Sequence, residues 1–209
     1  MAREREFDDY DDYATTQIDT TRRKVSRGIA NLSTTPECIE AISRSLLNLN
    51  PSFNQGLCHG ARCGQEVQLF REFTLRPWIG SDICPDLCDG TNIVCHDFTR
   101  VKASWVGQFD VIYSNSLDHA IHPVDTLRIW LQQLRPAGKL CLEWTKWHAV
   151  YREHGASTRA DCLAADLDEY RQMVRQAGGS VQTELVCRDP AGRKPRPLER
   201  TVLICCKIR

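Results

Sequence analysis

The sequence predicts an α/β fold: a mostly parallel seven-stranded sheet with helices on both faces, an antiparallel C-terminal hairpin and an N-terminal helical cover. Three observations indicate this architecture. From residue 53 onward, short apolar runs alternate with amphipathic stretches, as in strand–helix–strand units. The last two apolar runs are joined by a loop (188–200) that has no room for a crossover helix, which predicts a hairpin. Helical patterns dominate residues 1–52, ahead of the first strand.

The composition excludes several classes of protein. The chain has 209 residues, the size of one domain with an appendage, and such a chain can bury a core without disulfides. Its 27 basic and 27 acidic residues cancel, which argues against a nucleic-acid partner. The longest apolar run, Val202–Cys206, is far shorter than a membrane span, and the charged start lacks the apolar stretch of a signal peptide. We therefore expect a cytoplasmic protein with no membrane partner.

The 11 cysteines allow two interpretations. Reduced thiols that serve as small core residues are one, because an odd count without a secretory signal argues against a disulfide framework. A zinc site is the other, with candidate ligands Cys84, Cys88, Cys95 and His96. Their spacing matches no common zinc motif, so we expect no metal. Besides Cys58, which lies next to the glycine turn, five cysteines fall in predicted strands, which favours buried thiols: Cys95, Cys141, Cys187, Cys205 and Cys206.

The N-terminal segment, residues 1–52, is predicted to form a helical lid. Residues 1–13 are acidic with little apolar support, so we expect them to be disordered. A second helix has Thr35 placed to cap it, Pro36 in its first turn and Pro51 at its end. The helical spacing that predicts the first helix is carried by Ile18, Val25, Ile29 and Leu32.

Residues 53–209 are predicted to form the sheet domain. The seven strands are expected at 55–59, 77–81, 92–95, 109–113, 139–144, 181–187 and 201–208. The helices between them are expected at 65–73, 85–89, 123–134 and 161–177. Glycines or prolines mark most of the boundaries, as they do in short connections. The basic loop 188–200 is either a solvated turn or an anion contact.

Polar residues follow the first four predicted strands, at the edge where parallel sheets bind ligands. The turn Gly60–Gly64 allows a ligand to approach the backbone and opens a helix whose N-terminus favours negative charge. Asp82 follows the second strand and can accept both hydroxyls of a ribose. Asp97 and Phe98 follow the third strand and suit the amine and the plane of adenine, and the polar turn 114–119 follows the fourth. Together they predict a pocket for an adenosine-containing ligand.

This ordered set resembles the class I S-adenosylmethionine-dependent methyltransferases, which have a Rossmann-like fold. The resemblance covers residues 53–209, and Leu-x-Pro-x-Gly before an apolar strand is its most specific part. Two positions depart from the family pattern. Cys58 stands where an acid usually precedes the glycine turn, and Arg62 replaces the middle glycine, which gives a Gly-x-Arg-x-Gly variant. The matching stretches are GLCHGARCGQEV (56–67), WIGSDICP (78–85), VCHDF (94–98), FDVIYSNSLDHA (109–120) and LRPAGKLCLEW (134–144).

The resemblance implies S-adenosylmethionine as the cofactor and methyl transfer as the activity. Arg62 would pair with the methionine carboxylate, although an ion pair with Glu66 four residues on is an open alternative. The glycine turn would lie along the methionine and ribose, and Ser114 and Asn115 would close the pocket near the sulfonium. The implied cofactor-binding residues are His59, Gly60, Ala61, Arg62, Gly64, Asp82, Ile83, Asp97, Phe98, Ser114 and Asn115.

The acceptor is expected to be a small molecule, such as a hydroxylated metabolite or saccharide that is methylated on oxygen or nitrogen. A general base is needed only if the acceptor is a hydroxyl or a protonated amine. His119 is the first candidate for that base, and Asp118 and His148 are alternatives. His119 can equally pack against or cap the helix that begins at Pro123. A homodimer is compatible with the sequence.

Two other functions stay open. An NAD-dependent oxidoreductase would use Asp82 in the same way, but the sequence lacks Gly-x-Gly-x-x-Gly. A non-catalytic nucleotide-binding protein on a methyltransferase fold would explain the departures at Cys58 and Arg62.

Overall fold

A computed structural model describes residues 3–4, 7–28, 34–149, 161–188 and 199–208. Most of the basic loop 188–200 lies outside these ranges, as do Ile29 and Leu32. The strands are β1 (Arg3–Glu4), β2 (Gly56–His59), β3 (Trp78–Asp82), β4 (Ile93–Cys95), β5 (Phe109–Ser114), β6 (Leu134–Thr145), β7 (Leu163–Ala164), β8 (Gly179–Arg188) and β9 (Glu199–Lys207). The α-helices are α1 (Tyr10–Ser26), α2 (Pro36–Leu49), α3 (Gln65–Thr74), α4 (Pro123–Gln133) and α5 (Leu167–Gln176).

The main sheet has seven strands in the order β4-β3-β2-β5-β6-β9-β8. Strands β2 to β6 are mutually parallel, whereas β9 is antiparallel to both β6 and β8. This confirms the predicted sheet and its hairpin. The chain leaves β2 towards β3 and β4 and then returns to the other side of β2 with β5. The carboxyl ends of β2 and β5 therefore flank the point where the strand order reverses, which is where such sheets bind ligands.

The core has two layers because both faces of the sheet are covered. On β6, Leu140 and Leu142 pack in the cluster that contains the apolar residues of α4 and α5, whereas Cys141 packs with those of α2 and α3. This alternation follows from the two-residue repeat of a strand. Helix α2 is thus part of the core, with Thr35 capping it through the amide of Cys38 and Pro36 in its first turn.

The N-terminal residues differ from the prediction. We expected disorder through residue 13, but α1 begins at Tyr10, and Tyr13 is buried and packs edge-on against Phe7. The acidic run explains the helix start, because Asp9 caps α1 through the amide of Asp12 and further acids fall in the first turn. Strand β1 pairs with β7, a small sheet that the sequence did not predict.

Two further boundaries were wrong. The helix predicted at 161–177 begins only at Leu167, because Asp166 and Glu169 form a capping box there. Strand β6 begins at Leu134 rather than residue 139, because Leu134 already pairs with Phe109 before a register shift. Ala137 has a φ of 65° inside that irregular stretch. None of the helices in the ranges given above is long and apolar enough to cross a bilayer.

Candidate functional site

A pocket opens at the carboxyl edge of the sheet beside β2 and β5. The loops after β2, β3, β4 and β5 supply its floor, and one side of α1 closes it. The lining residues are Tyr13, Gln17, Thr20, Thr21 and Lys24 from α1, and Gly60, Arg62, Asp82, Ile83, Asp97, Phe98, Ser116 and His119 from the loops. Seven predicted site residues are therefore together in this one pocket.

Asp82 ties two of the pocket loops together. Its Oδ2 accepts a hydrogen bond of 2.8 Å from the amide of Arg62, and its Oδ1 accepts one of 2.9 Å from the amide of Cys84. The carboxylate is buried, and this burial raises its pKa although the two amides and the charge of Arg62 lower it. Carboxylate oxygens have further lone pairs beyond these two bonds, so Asp82 can still accept hydroxyl donors from a ligand in the pocket.

The turn after β2 has a left-handed backbone. Gly60 has a φ of 71°, and a Cβ there would lie 2.6 Å from Ser116 Oγ, so only glycine fits. Arg62, with a φ of 45°, is one of three non-glycine residues among those described with a positive φ. Burial raises the pKa of the Glu66 carboxyl, although the guanidinium charge of Arg62 opposes this rise, and burial together with that charge lowers the pKa of the Lys24 ammonium. The pocket thus has positive charge at the glycine turn.

Asp97 is held from two sides. Its Oδ1 accepts hydrogen bonds from the amide and the hydroxyl of Thr99, at 2.8 and 2.9 Å. Its Oδ2 accepts a 2.8 Å hydrogen bond from the hydroxyl of Tyr10 in α1. Phe98, next in the chain, is buried and packs edge-on against Trp130. An acid beside an aromatic ring is therefore present at the pocket wall as expected, but the N-terminal helix already contacts the acid.

The side chain of His59 does not belong to the pocket, contrary to its place among the predicted cofactor residues. Its two ring nitrogens lie 2.8 Å from Ser81 Oγ and from Gln133 Oε1, and the ring stacks on Trp130. Burial lowers its pKa to about 3, so the imidazole is neutral. Because β2 is buried on both faces, the last residue of the strand points into the core rather than towards a ligand.

Four other predicted residues shape the pocket from behind without lining it. Ala61 is buried and its amide bonds to the carbonyl of Ser81, while Gly64 caps α3 with a φ of 75°. Ser114 donates to the carbonyl of His59. Asn115 turns towards Glu66, with Nδ2 3.5 Å from Oε1. In their place, Ser116 reaches the pocket.

The three candidate bases lie at the end of the pocket that follows β5. His119 lines it, and its Nδ1 is 3.9 Å from Asp161 Oδ1. Asp118 and His148 do not line it but pair with each other, with Oδ2 3.8 Å from Nε2. The amide of Thr145 donates to His148 Nδ1 over 3.1 Å, and the ring stacks on Tyr170. Of the three, only His119 lines this pocket.

The α1 residues of the pocket were missed by the sequence analysis. A signal was present: the five residues recur at helical spacing, and four of them are polar (Gln17, Thr20, Thr21 and Lys24). The prediction of this helix rested on apolar residues that include Ile18 and Val25, and these two side chains are only half-buried. A polar stripe on one side of a helix is also typical of a solvated surface, so the pattern alone does not reveal a pocket.

Comparison with known proteins identifies the fold. No family model and no curated protein matches the sequence. Among solved structures, the Burkholderia thailandensis 1,6-didemethyltoxoflavin-N1-methyltransferase, with 1,6-didemethyltoxoflavin and S-adenosylhomocysteine bound, matches with a TM-score of 0.72 and 14% identity, over 99% of this chain and 94% of that one. The trans-methyltransferase CalH, in complex with S-adenosylhomocysteine, matches with a TM-score of 0.58 and 18% identity, over 83% of this chain and 55% of that one.

A third solved structure shows that this fold also serves other chemistry. The [4+2]-cyclase SpnF matches with a TM-score of 0.61 and 11% identity, over 93% of this chain and 94% of that one. Fold alone therefore does not decide the reaction. The chain has the Rossmann-like fold of the class I S-adenosylmethionine-dependent methyltransferases.

Proposed function

We propose that the chain binds S-adenosylmethionine in this pocket and transfers its methyl group to a small molecule. One observation carries the proposal: the glycine turn, Asp82, the Asp97–Phe98 pair and His119 line one pocket at the reversal of strand order. These are the positions that the resemblance assigned to the cofactor and to the acceptor. The match to a methyltransferase that holds S-adenosylhomocysteine supports the choice of ligand.

The pocket chemistry fits each part of that cofactor. Gly60 lets the ligand approach the backbone, and Arg62 offers a positive charge for the methionine carboxylate. Asp82 offers lone pairs to the ribose hydroxyls. Asp97 and Phe98 provide an acceptor for the adenine amine and an apolar wall for the base. Because the sulfonium is already activated, the protein mainly has to align donor and acceptor and exclude water.

The acceptor lies on the His119 side in this proposal. His119 is the candidate base that reaches the pocket, and Asp161, close to its Nδ1, can orient the ring and stabilise its protonated form. A hydroxyl acceptor would give its proton to this imidazole as the methyl group is transferred, and an ammonium acceptor would give it before the transfer, because its nitrogen needs a free lone pair to attack. The small-molecule acceptor is supported by the 1,6-didemethyltoxoflavin bound to the Burkholderia enzyme.

Residues 1–52 contribute the cover in this proposal, and residues 53–209 the catalytic domain. Helix α1 closes the pocket and therefore acts as the lid, while α2 packs in the core. A lid serves methyl transfer because it excludes water from the sulfonium. The cytoplasmic location and the homodimer stay predictions.

Calorimetric titration of the purified chain tests the function. We expect S-adenosylmethionine and S-adenosylhomocysteine to bind with micromolar or tighter affinity and NAD not to bind. NAD binding alone would favour the oxidoreductase, and the absence of binding by both sulfur nucleotides would refute the proposal. Mass spectrometry of pooled small-molecule extracts, incubated with cofactor that carries a deuterated methyl group, then separates a methyltransferase from a non-catalytic binding protein.

A further inference from the structure

Three side chains at the acceptor end of the pocket form a candidate metal centre. Asp118 and His119 lie on the short 3-10 helix Leu117–His119 after β5, and Asp161 comes from the segment that leads to β7. One ligand atom of each lies within 4.8 Å of the others, and all three residues are half-buried. Ligands at about 2.1 Å from one ion stand roughly 3.0 to 4.3 Å apart, so a contraction of a few tenths of an ångström would close this set around a cation.

Asp118 has a spare oxygen at this position. Its Oδ1 is buried and accepts no hydrogen bond from the described part of the chain. Its other oxygen faces His148 Nε2 at 3.8 Å. A buried carboxylate oxygen without a donor is costly unless a cation satisfies it. This observation is independent of the clustering, and a cation beside Oδ1 would satisfy that oxygen.

His148 supports the centre rather than joining it. Its Nδ1 accepts the amide of Thr145, so in the neutral ring the proton is on Nε2, which faces Asp118. A protonated Nε2 cannot bind a metal, but it can donate to a metal-bound carboxylate. Outer hydrogen bonds of this kind orient the carboxylate ligands of metal sites.

Among the described residues, Lys24 of α1 is a positive group that acts on both Asp118 and Asp161. Its single charge cannot balance two carboxylates, whereas a divalent ion would neutralise both and would compete with Lys24 for them.

We propose that Asp118, His119 and Asp161 bind a divalent first-row cation, for which Mn²⁺ is the matching probe. Two carboxylates with one imidazole suit an ion of intermediate hardness. Mg²⁺ prefers oxygen ligands alone and retains its waters, so it would bind more weakly. Three protein ligands leave coordination positions open, which water or an oxygen or nitrogen of the acceptor would fill.

The role of the ion in catalysis rests on the proposed function, whereas its binding does not. A bound ion would polarise the acceptor atom as a Lewis acid and lower the pKa of an acceptor hydroxyl. His119 would then be a ligand and not the base, so the two modes exclude each other. Activity of chelator-treated protein distinguishes them.

Titration of the chelator-treated, cofactor-free chain with Mn²⁺, followed by electron paramagnetic resonance of the free ion, tests the site. Mn²⁺ has little affinity for thiols, so the 11 cysteines do not interfere as they would with Zn²⁺. We expect one equivalent to bind, and Asp161→Asn or His119→Gln to weaken it by about tenfold or more. Lys24→Gln should tighten binding, because it removes a competing positive charge.

The control variants make the same kinds of substitution, His to Gln and Asp to Asn, at residues outside the proposed site. His122→Gln and Asp125→Asn change exposed residues a few positions along the chain and should leave Mn²⁺ binding unchanged. No binding by the unsubstituted chain, or equal binding by the Asp161→Asn and His122→Gln variants, would overturn the proposal. S-adenosylhomocysteine titrations in the presence of chelator report cofactor binding separately, so failure of the metal site and failure of the proposed function are distinguishable.

Discussion

Tyr10 donates a 2.8 Å hydrogen bond to Asp97, so the N-terminal helix contacts the carboxylate that the proposed function gives to adenine. The guanidinium of Arg100 lies 3.7 Å above the Tyr10 ring and adds a second attachment. Three more contacts hold α1 over the pocket: Tyr13 to the carbonyl of His119, Gln17 to Cys162 Sγ, and Arg22 to Asp86. Under the proposed function, a nucleoside would therefore compete with the lid for Asp97.

Removing the Tyr10 hydroxyl should speed cofactor entry. Tyr10→Phe keeps the ring over Arg100 but deletes the hydrogen bond to Asp97, so opening of α1 costs about 1 kcal/mol less. We expect an approximately fivefold faster association of S-adenosylhomocysteine in stopped-flow fluorescence. Tyr13→Phe, which removes a bond to a backbone carbonyl instead, is the comparison. A slower association in Tyr10→Phe would show that the hydroxyl helps to hold the ligand.

Asp82→Ala should abolish most of the cofactor affinity. The substitution removes the acceptor for two ribose hydroxyls and frees the amides of Arg62 and Cys84. We expect the Kd of S-adenosylhomocysteine to rise by about 100-fold, since a hydrogen bond to a charged group contributes about 1.5–3 kcal/mol. Asp82→Asn keeps one acceptor and should be intermediate, and Asp125→Ala is the exposed control. Unchanged affinity in both Asp82 variants would place the ligand elsewhere.

Gly60→Ala should damage the pocket more than the same change at another left-handed glycine. Gly60 and Gly107 have φ values of 71° and 66°, but a Cβ at Gly107 meets nothing within 4 Å, whereas one at Gly60 meets Ser116 Oγ at 2.6 Å. We expect both variants to lose about 1 kcal/mol of unfolding free energy from backbone strain. Only Gly60→Ala should also weaken S-adenosylhomocysteine binding, because the turn must shift. Equal binding by both variants would contradict the assigned role of the turn.

His59 should make the fold sensitive to mild acid. Burial lowers its pKa from 6.5 to about 3 in the folded chain, so below pH 6.5 the unfolded chain binds the additional proton. Stability contributed by the neutral ring is therefore lost as the pH falls from 6.5 towards 3, by about 1.4 kcal/mol per pH unit. Urea unfolding at pH 6.5 and pH 5.0 should show a smaller loss in His59→Asn than in the unsubstituted chain. Identical pH dependence would mean that the ring is not held neutral.

The sheet and the order of the site loops were predictable because their signals are local. Apolar runs, the glycine turn and the Leu-x-Pro-x-Gly stretch all lie within a few residues of the elements they mark. The orientation of His59 was not predictable, because a strand buried on both faces has no polar and apolar alternation to read. The sequence identified the polar turn after β5, but it did not show that the hydroxyl of Ser116, and not that of Ser114, reaches the pocket.

Long-range contacts explain the remaining failures. The position of α1 depends on bonds such as Tyr10 to Asp97 and Gln17 to Cys162, which join distant parts of the chain. Strands β1 and β7 have two residues each and carry no periodic signal. Asp161 was placed in a helix, and its approach to His119 depends on the path of the chain between β6 and α5.

The pairing of β1 with β7 has a practical consequence for anyone who produces this protein. Arg3 and Glu4 lie against Ala164 and Leu163, and β7 contacts the 3-10 helix that carries His119. An affinity tag ahead of Arg3 would therefore leave the protein beside the pocket mouth. Strand β9 is antiparallel to β6, so it ends, at Lys207, on the side of the sheet opposite to the carboxyl ends of the parallel strands. A purification tag placed after Lys207 keeps foreign residues away from the ligand.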